Sequence, residues 1–207
     1  MHYVFDKWME RTHPNVLWCR YADDGLAHCK TEQEARVLLG LLKERFAQCG
    51  LELHLEKTQI VYCKDGKRKN NHPITTFNFL GYTFRRRTCK SRAGQLFVGF
   101  TPAVSDEAKK AMRTATRRRN WRNRTELSLN EIARLFNPVL QGWLNYYGRY
   151  CCSGLNNVWR HFNQTLVSWI MSKYKSLKGH KRKAARFLGE IMQREPKLFS
   201  HWQKGIF

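Results

Sequence analysis

Residues 16–29 read Val16-Leu17-Trp18-Cys19-Arg20-Tyr21-Ala22-Asp23-Asp24-Gly25-Leu26-Ala27-His28-Cys29, and the two adjacent acids inside this largely apolar stretch decide how it must fold. Successive residues of a strand face opposite ways, so neighbouring carboxylates can serve one ion cluster only where the backbone bends. Asp24-Gly25 is a strong two-residue hairpin signal. The stretch therefore predicts two largely buried strands with the acids at their turn. Two carboxylates placed together in apolar surroundings call for a cation. Without clustered His or Cys, hard oxygen ligands favour Mg²⁺ over Zn²⁺, and such a pair suits two-ion phosphoryl transfer. An isolated Asp-Asp-Gly is also an ordinary turn sequence; the apolar flanks and the segments that follow weigh against that reading.

Outward from this hairpin the pattern alternates between helix and strand. Tyr3, Val4, Phe5, Trp8 and Met9 give residues 2–12 an apolar helical face before Pro14. Thr31 and Glu34 form a capping box ahead of a helix with Ala35, Leu38, Leu39, Leu42 and Phe46 on one side, ending at Gly50. Ile60 to Cys63, Thr76 to Arg86 and Leu96 to Phe100 read as strands. After Thr101-Pro102 the patterns are helical. Starts are marked at Ser105 and at Ser128 with Glu131, and further helices are expected from Leu155 to Leu177 and from His180 to Arg194. The expected organisation is α+β over 1–102 and an α-helical bundle over 103–207.

Charge points to the partner. The 207-residue chain carries a net charge of +22, with 42% hydrophobic residues, enough for a core. Such an excess of cations favours a polyanion. Residues 1–102 hold 17 Lys and Arg against 10 Asp and Glu, and residues 103–207 hold 21 against 6, so the helical half is the more basic. Three clusters stand out: Arg85, Arg86 and Arg87; Arg117, Arg118, Arg119, Arg122 and Arg124; and Lys181, Arg182, Lys183 and Arg186. With Trp121, Trp143, Tyr146, Tyr147 and Trp159 between them, they suit an RNA or heteroduplex track, although helical spacing assigns many of these aromatics, Trp143 among them, to packing. No run approaches the roughly 20 apolar residues of a membrane span, and no secretory signal is visible, so a cytoplasmic protein is expected. The seven cysteines form no Cys-x-x-Cys pair and are expected to be reduced and mostly buried.

Several blocks carry a family resemblance. Tyr21-Ala22-Asp23-Asp24 resembles the polymerase signature of a reverse-transcriptase palm. Gly50-Leu51-Glu52-Leu53, continuing to Lys57-Thr58, resembles the block that follows it, and Phe79-Leu80-Gly81-Tyr82 the primer-grip block. Leu129-Asn130-Glu131, Leu135-Phe136-Asn137-Pro138 and Gly142-Trp143-Leu144-Asn145-Tyr146-Tyr147 resemble the thumb, or maturase-specific, region. In this order they resemble a group II intron-encoded reverse transcriptase that doubles as a splicing maturase, over nearly the whole chain. The resemblance implies a partial palm, an antiparallel sheet with packed helices, followed by a helical thumb/maturase bundle. It implies Asp23 and Asp24 as catalytic Mg²⁺ ligands in a two-metal site, with Tyr21 and Ala22 near the primer terminus. Lys57 would neutralise or protonate the leaving pyrophosphate, and Phe79, Leu80, Gly81 and Tyr82 would support the primer backbone. Implied partners are intron RNA, an RNA/DNA primer-template and deoxynucleotides. A splicing cofactor whose aspartates are relics, and a reverse transcriptase of a non-intron system, remain alternatives.

The family also uses an earlier palm aspartate and a fingers domain. Asp6 precedes the pair but lies in a helical pattern and is not assigned that role. The expectation is a C-terminal part of the enzyme, catalytically incomplete alone, with an N-terminal fingers/palm half as a further partner. Leu55 stands where a proline is common in the family, and no Cys/His cluster for target-strand cleavage is visible.

Overall fold

In the computed structural model, which describes residues 1–68, 70–91 and 93–205, a π-helical turn over His2–Asp6 leads into α1, Lys7–Thr12. Phe5 and Met9 point inward from it and join Val16, Leu38 and Phe46 in a small core. Leu38 and Phe46 come from α2, Glu32–Gln48. Thr31 caps that helix, its hydroxyl accepting from the Glu34 amide at 3.1 Å, and Gly50, at φ 68°, ends it.

Between α1 and α2 lies the hairpin of β1, Leu17–Tyr21, and β2, Asp24–His28. Its antiparallel register pairs Trp18 with Ala27, Arg20 with Gly25 and Tyr21 with Asp24. The loop is therefore Ala22-Asp23, not the expected Asp24-Gly25. The cause is tertiary. Trp18 meets Phe5 edge-on at 5.2 Å, and Arg20 reaches Asp6. A one-residue slip would turn both side chains to the opposite face. Nor are these strands largely buried: Leu17 is 75% exposed and Tyr21 65%, because the helical turn covers only the face that carries Trp18 and Arg20.

Two other strand expectations change. Ile60 to Cys63 forms no ladder; Tyr62 N–H donates to the Ile74 carbonyl at 2.9 Å, and the Tyr62 carbonyl accepts from the Lys64 amide at 2.8 Å. The expected strand from Thr76 to Arg86 is two strands, β3, Phe77–Phe79, and β4, Tyr82–Lys90, separated by Leu80-Gly81. With β5, Leu96–Val104, they form a sheet in the order β3-β4-β5. The chain divides into two compact units, Met1–Phe79 with Arg85–Phe100, and Leu80–Phe84 with Thr101–Phe207. Mixed α+β character is thus explicit.

The second unit is built around α5, Asn156–Lys173, which buries Val158, Trp159, Phe162, Leu166, Val167, Trp169 and Ile170. A fully buried Leu or Phe contributes roughly 1.5–3 kcal/mol relative to exposure. Around it pack α3, Asp106–Arg118; α4, Leu129–Tyr147; and α6, Lys181–Arg194. The ends are fixed locally. Ser105 caps α3, and Ser128 with Glu131 makes a complete capping box on α4. The helix expected from Leu155 to Leu177 is α5 followed by a short 3₁₀ turn, Lys175–Leu177. Two asparagines tie down the last segment. Asn137 Nδ2 donates to the Leu198 carbonyl at 2.9 Å, and Asn163 Oδ1 accepts from His201 Nε2 at 2.8 Å and Trp202 Nε1 at 3.1 Å.

All seven cysteines are free thiols, but Cys19 and Cys152 are exposed and the others only half-buried. Cys19 is exposed because it lies on the uncovered face of β1. Among the described residues no helix is long and apolar enough to cross a membrane.

Candidate functional site

The acidic turn is held from behind. Ala22 sits at φ 53°, a left-handed conformation that costs a non-glycine residue roughly 1 kcal/mol or more. Arg20 supports it, one guanidinium nitrogen donating to the Ala22 carbonyl. The rest of that guanidinium forks onto Asp6, Nε to Oδ1 at 2.6 Å and Nη2 to Oδ2 at 2.7 Å. His2 Nδ1 lies 3.1 Å from the same carboxylate. The Arg20 hydrogen bonds hold Asp6 at a pKa of about 2, against the opposing effect of burial.

Arg20 is thus committed to Asp6. Tyr21 and Asp24, paired across the strands, face away from it by strand alternation. The carboxylates of Asp23 and Asp24 are exposed and, among the described residues, take part in no ion pair or hydrogen bond. Two free hard-oxygen donors fit Mg²⁺ in chemistry. Among the described residues no group of three His, Cys, Asp or Glu side chains forms around a metal position. Lys57 is exposed on a turn closed by its own N–H to the His54 carbonyl at 3.1 Å.

The Leu80-Gly81 turn is secured inside the second unit. Both residues have positive φ, 50° and 77°, the backbone of a tight hairpin loop. The Tyr146 hydroxyl donates to the Leu80 carbonyl at 2.9 Å, and the Ser105 amide donates to the Gly81 carbonyl at 2.9 Å. Tyr82 is buried with its hydroxyl donating to the Tyr146 carbonyl, and its ring packs on Tyr146, Tyr147 and Tyr150 at 5.3–5.5 Å. Burial raises the pKa of Tyr82 and of Tyr147. A Cβ on Gly81 would fall 2.8 Å from the Tyr147 hydroxyl. The close approach that requires glycine is to Tyr147. Phe79, half-buried, belongs to the first unit.

The basic clusters separate by position. Arg85 and Arg86 are exposed on β4 and Arg87 is half-buried. Arg119 lies over the Phe136 ring at 5.9 Å, and Arg124 over Trp121 at 5.9 Å with Nε 3.2 Å from Glu126. Arg118, Lys183, Arg182 and Arg186 are exposed on α3 and α6. Arg117, Arg122 and Lys181 line one recess, joining the second and third clusters. Trp121 and Trp159, candidates for stacking in the sequence, are 1% and 0% exposed and belong to the core. Trp143 is half-buried against Phe136. Sequence reasoning missed the Asp6–Arg20 fork and the tyrosine cluster. The only local signal for the second was the Tyr146-Tyr147 pair near Tyr150.

Residues 1–84 match the family model described as reverse transcriptase (RNA-dependent DNA polymerase). Residues 109–187 match that of the group II intron maturase-specific domain. The first match carries the acidic turn, and the second carries most of α3, all of α4 and α5, and the first half of α6. Together, in this order, they make the chain a member of the group II intron reverse transcriptase/maturase family. A search of curated proteins finds no match.

Proposed function

We propose that the first unit contributes the acidic turn of an RNA-directed DNA polymerase and that the helical unit grips intron RNA and primer-template as a maturase does. The observation that carries the polymerase reading is the Asp23-Asp24 turn itself. Its two carboxylates are exposed and, among the described residues, unpaired, while the neighbouring Arg20 is neutralised by Asp6. Asp23 and Asp24 would hold Mg²⁺, which supplies charge stabilisation for phosphoryl transfer when bound. A fingers-containing half would bring the remaining ligands and the nucleotide site. Tyr21 and Ala22 would lie by the primer terminus. Lys57, free of ion pairs among the described residues, suits the departing pyrophosphate. The Leu80-Gly81 turn, braced by Tyr146, would support the primer backbone.

Primer extension by this chain joined to a fingers-containing half tests the reading. Asp23→Ala and Asp24→Ala should each reduce extension by about 10²-fold or more, and retained activity in both would overturn it. The second reading, a splicing cofactor without polymerase activity, draws support from the concentration of exposed cations on α3 and α6. It predicts intact RNA binding and splicing assistance with either aspartate removed.

A further inference from the structure

The Arg20 guanidinium works in two directions at once. Nε and Nη2 fork onto Asp6, at 2.6 and 2.7 Å, while Nη1 donates to the Ala22 carbonyl, the group whose peptide bond leads into Asp23. The two side chains are only 19% and 12% exposed, so water and salt screen the pair little. All of these residues belong to the first unit.

The brace and the acidic loop make opposite electrostatic demands. Reaching the carbonyl of a residue held at φ 53° from the preceding strand suits a long side chain with several donors in a rigid plane, which is arginine. A divalent cation on Asp23 and Asp24, however, is repelled by any uncompensated positive charge beside it. A free guanidinium is also a competitor, because it grips a carboxylate through two parallel hydrogen bonds. Both aspartates are exposed and, among the described residues, unpaired, although this arginine reaches the peptide group next to Asp23. Asp6 accounts for that. It takes the fork from the side away from the loop and cancels the charge, and among the described residues no other acid pairs with Arg20. His2, at 3.1 Å, is the other basic group on the Asp6 carboxylate.

We propose that Asp6 is a positioning residue for the acidic loop: by forking onto Arg20 it keeps that guanidinium off Asp23 and Asp24 and leaves both carboxylates to a divalent cation. The inference rests on the metal-binding reading of the two aspartates and adds the residue that keeps them available. Asp6 thereby serves the site without being a ligand in it.

Mn²⁺ titration of the full chain tests this, read from paramagnetic broadening of the Asp23, Asp24 and Gly25 amide resonances. In the unaltered chain the broadening should centre on the loop, and replacing both aspartates by Asn should abolish it. Asp6→Asn should weaken Mn²⁺ binding about threefold to tenfold, as the released guanidinium turns to the loop. Adding Arg20→Gln to Asp6→Asn removes the charge and should restore binding to within about twofold of the unaltered chain. A pair that merely stabilises the hairpin gives the reverse order. The double variant, lacking both partners, would then bind as weakly as Asp6→Asn or more weakly, and that result overturns the proposal. Undiminished binding by Asp6→Asn overturns it too. If Asp6→Asn does not fold, Arg20→Gln alone decides: it should hold Mn²⁺ at least as tightly as the unaltered chain, and weaker binding overturns the proposal. Absence of loop broadening in the unaltered chain, or broadening that survives loss of both aspartates, overturns the metal reading itself and this assignment with it.

Discussion

Asp6 and Arg20, 14 residues apart in sequence, form a forked ion pair whose guanidinium also reaches the Ala22 carbonyl, so one arginine joins the first helical turn to the backbone of the acidic loop. The folded state lowers the Asp6 pKa from 3.8 to about 2. Stability from this pair is complete above the higher value and is lost as pH falls through the lower one, because the unfolded carboxylate takes up its proton first. Asp6→Asn is expected to lower the denaturant midpoint at neutral pH and to flatten the acid loss within that window. Hydrogen exchange of the hairpin amides across the same pH range measures it.

Gly81→Ala should destabilise the second unit by at least about 1 kcal/mol, from the left-handed backbone alone, with further loss from contact with Tyr147. Tyr147→Phe removes the atom 2.8 Å from the added Cβ but leaves ring carbon at 3.2 Å. The double variant is therefore expected to recover only part of the loss in thermal unfolding.

His201 is a second acid sensor of the same sign, acting from a higher pH. Burial lowers its pKa from 6.5 to about 3, and the neutral ring donates from Nε2 to Asn163. As pH falls below 6.5 the unfolded chain binds a proton that the folded chain refuses. Stability should then fall by roughly 1.4 kcal/mol per pH unit until the folded ring titrates. His201→Gln should remove this slope in urea titrations at successive pH values.

Surface and cap positions should separate function from stability. Asp23→Asn and Asp24→Asn replace exposed, unpaired groups, so the melting temperature should be almost unchanged, within about 0.5 kcal/mol in stability. Ser128→Ala removes the α4 cap and should cost about 1 kcal/mol. Calorimetry of the three variants checks the contrast; a clear destabilisation by the aspartate changes would give those residues a structural role.

Local signals were readable where they were local. Thr31 and Ser128 cap helices because the hydroxyl, the amide it serves and the following acid lie within four residues. The acidic loop misled by two residues because Asp24-Gly25 is a good turn in isolation, whereas Phe5 and Asp6 decide which way Trp18 and Arg20 must face. Leu80-Gly81 read as strand because leucine rarely takes positive φ; here Tyr146, 66 residues away, holds it there. The acids of the candidate site were legible as residue types, but their freedom from pairing was not, since it depends on Arg20 being engaged elsewhere. The recess was hidden for the same reason: α3, α5 and α6 supply its parts from distant positions.

The path of the backbone has a consequence for inheritance. It passes between the two units at Phe79–Leu80, Phe84–Arg85 and Phe100–Thr101, so no single crossover in a gene could exchange one unit cleanly for that of a relative. A recombinant joined near residue 102 would pair the glycine turn of one parent with the tyrosines of another. The Gly81–Tyr147 fit would have to be matched in both parents, which makes these two positions a compatibility test for chimaeras of this family.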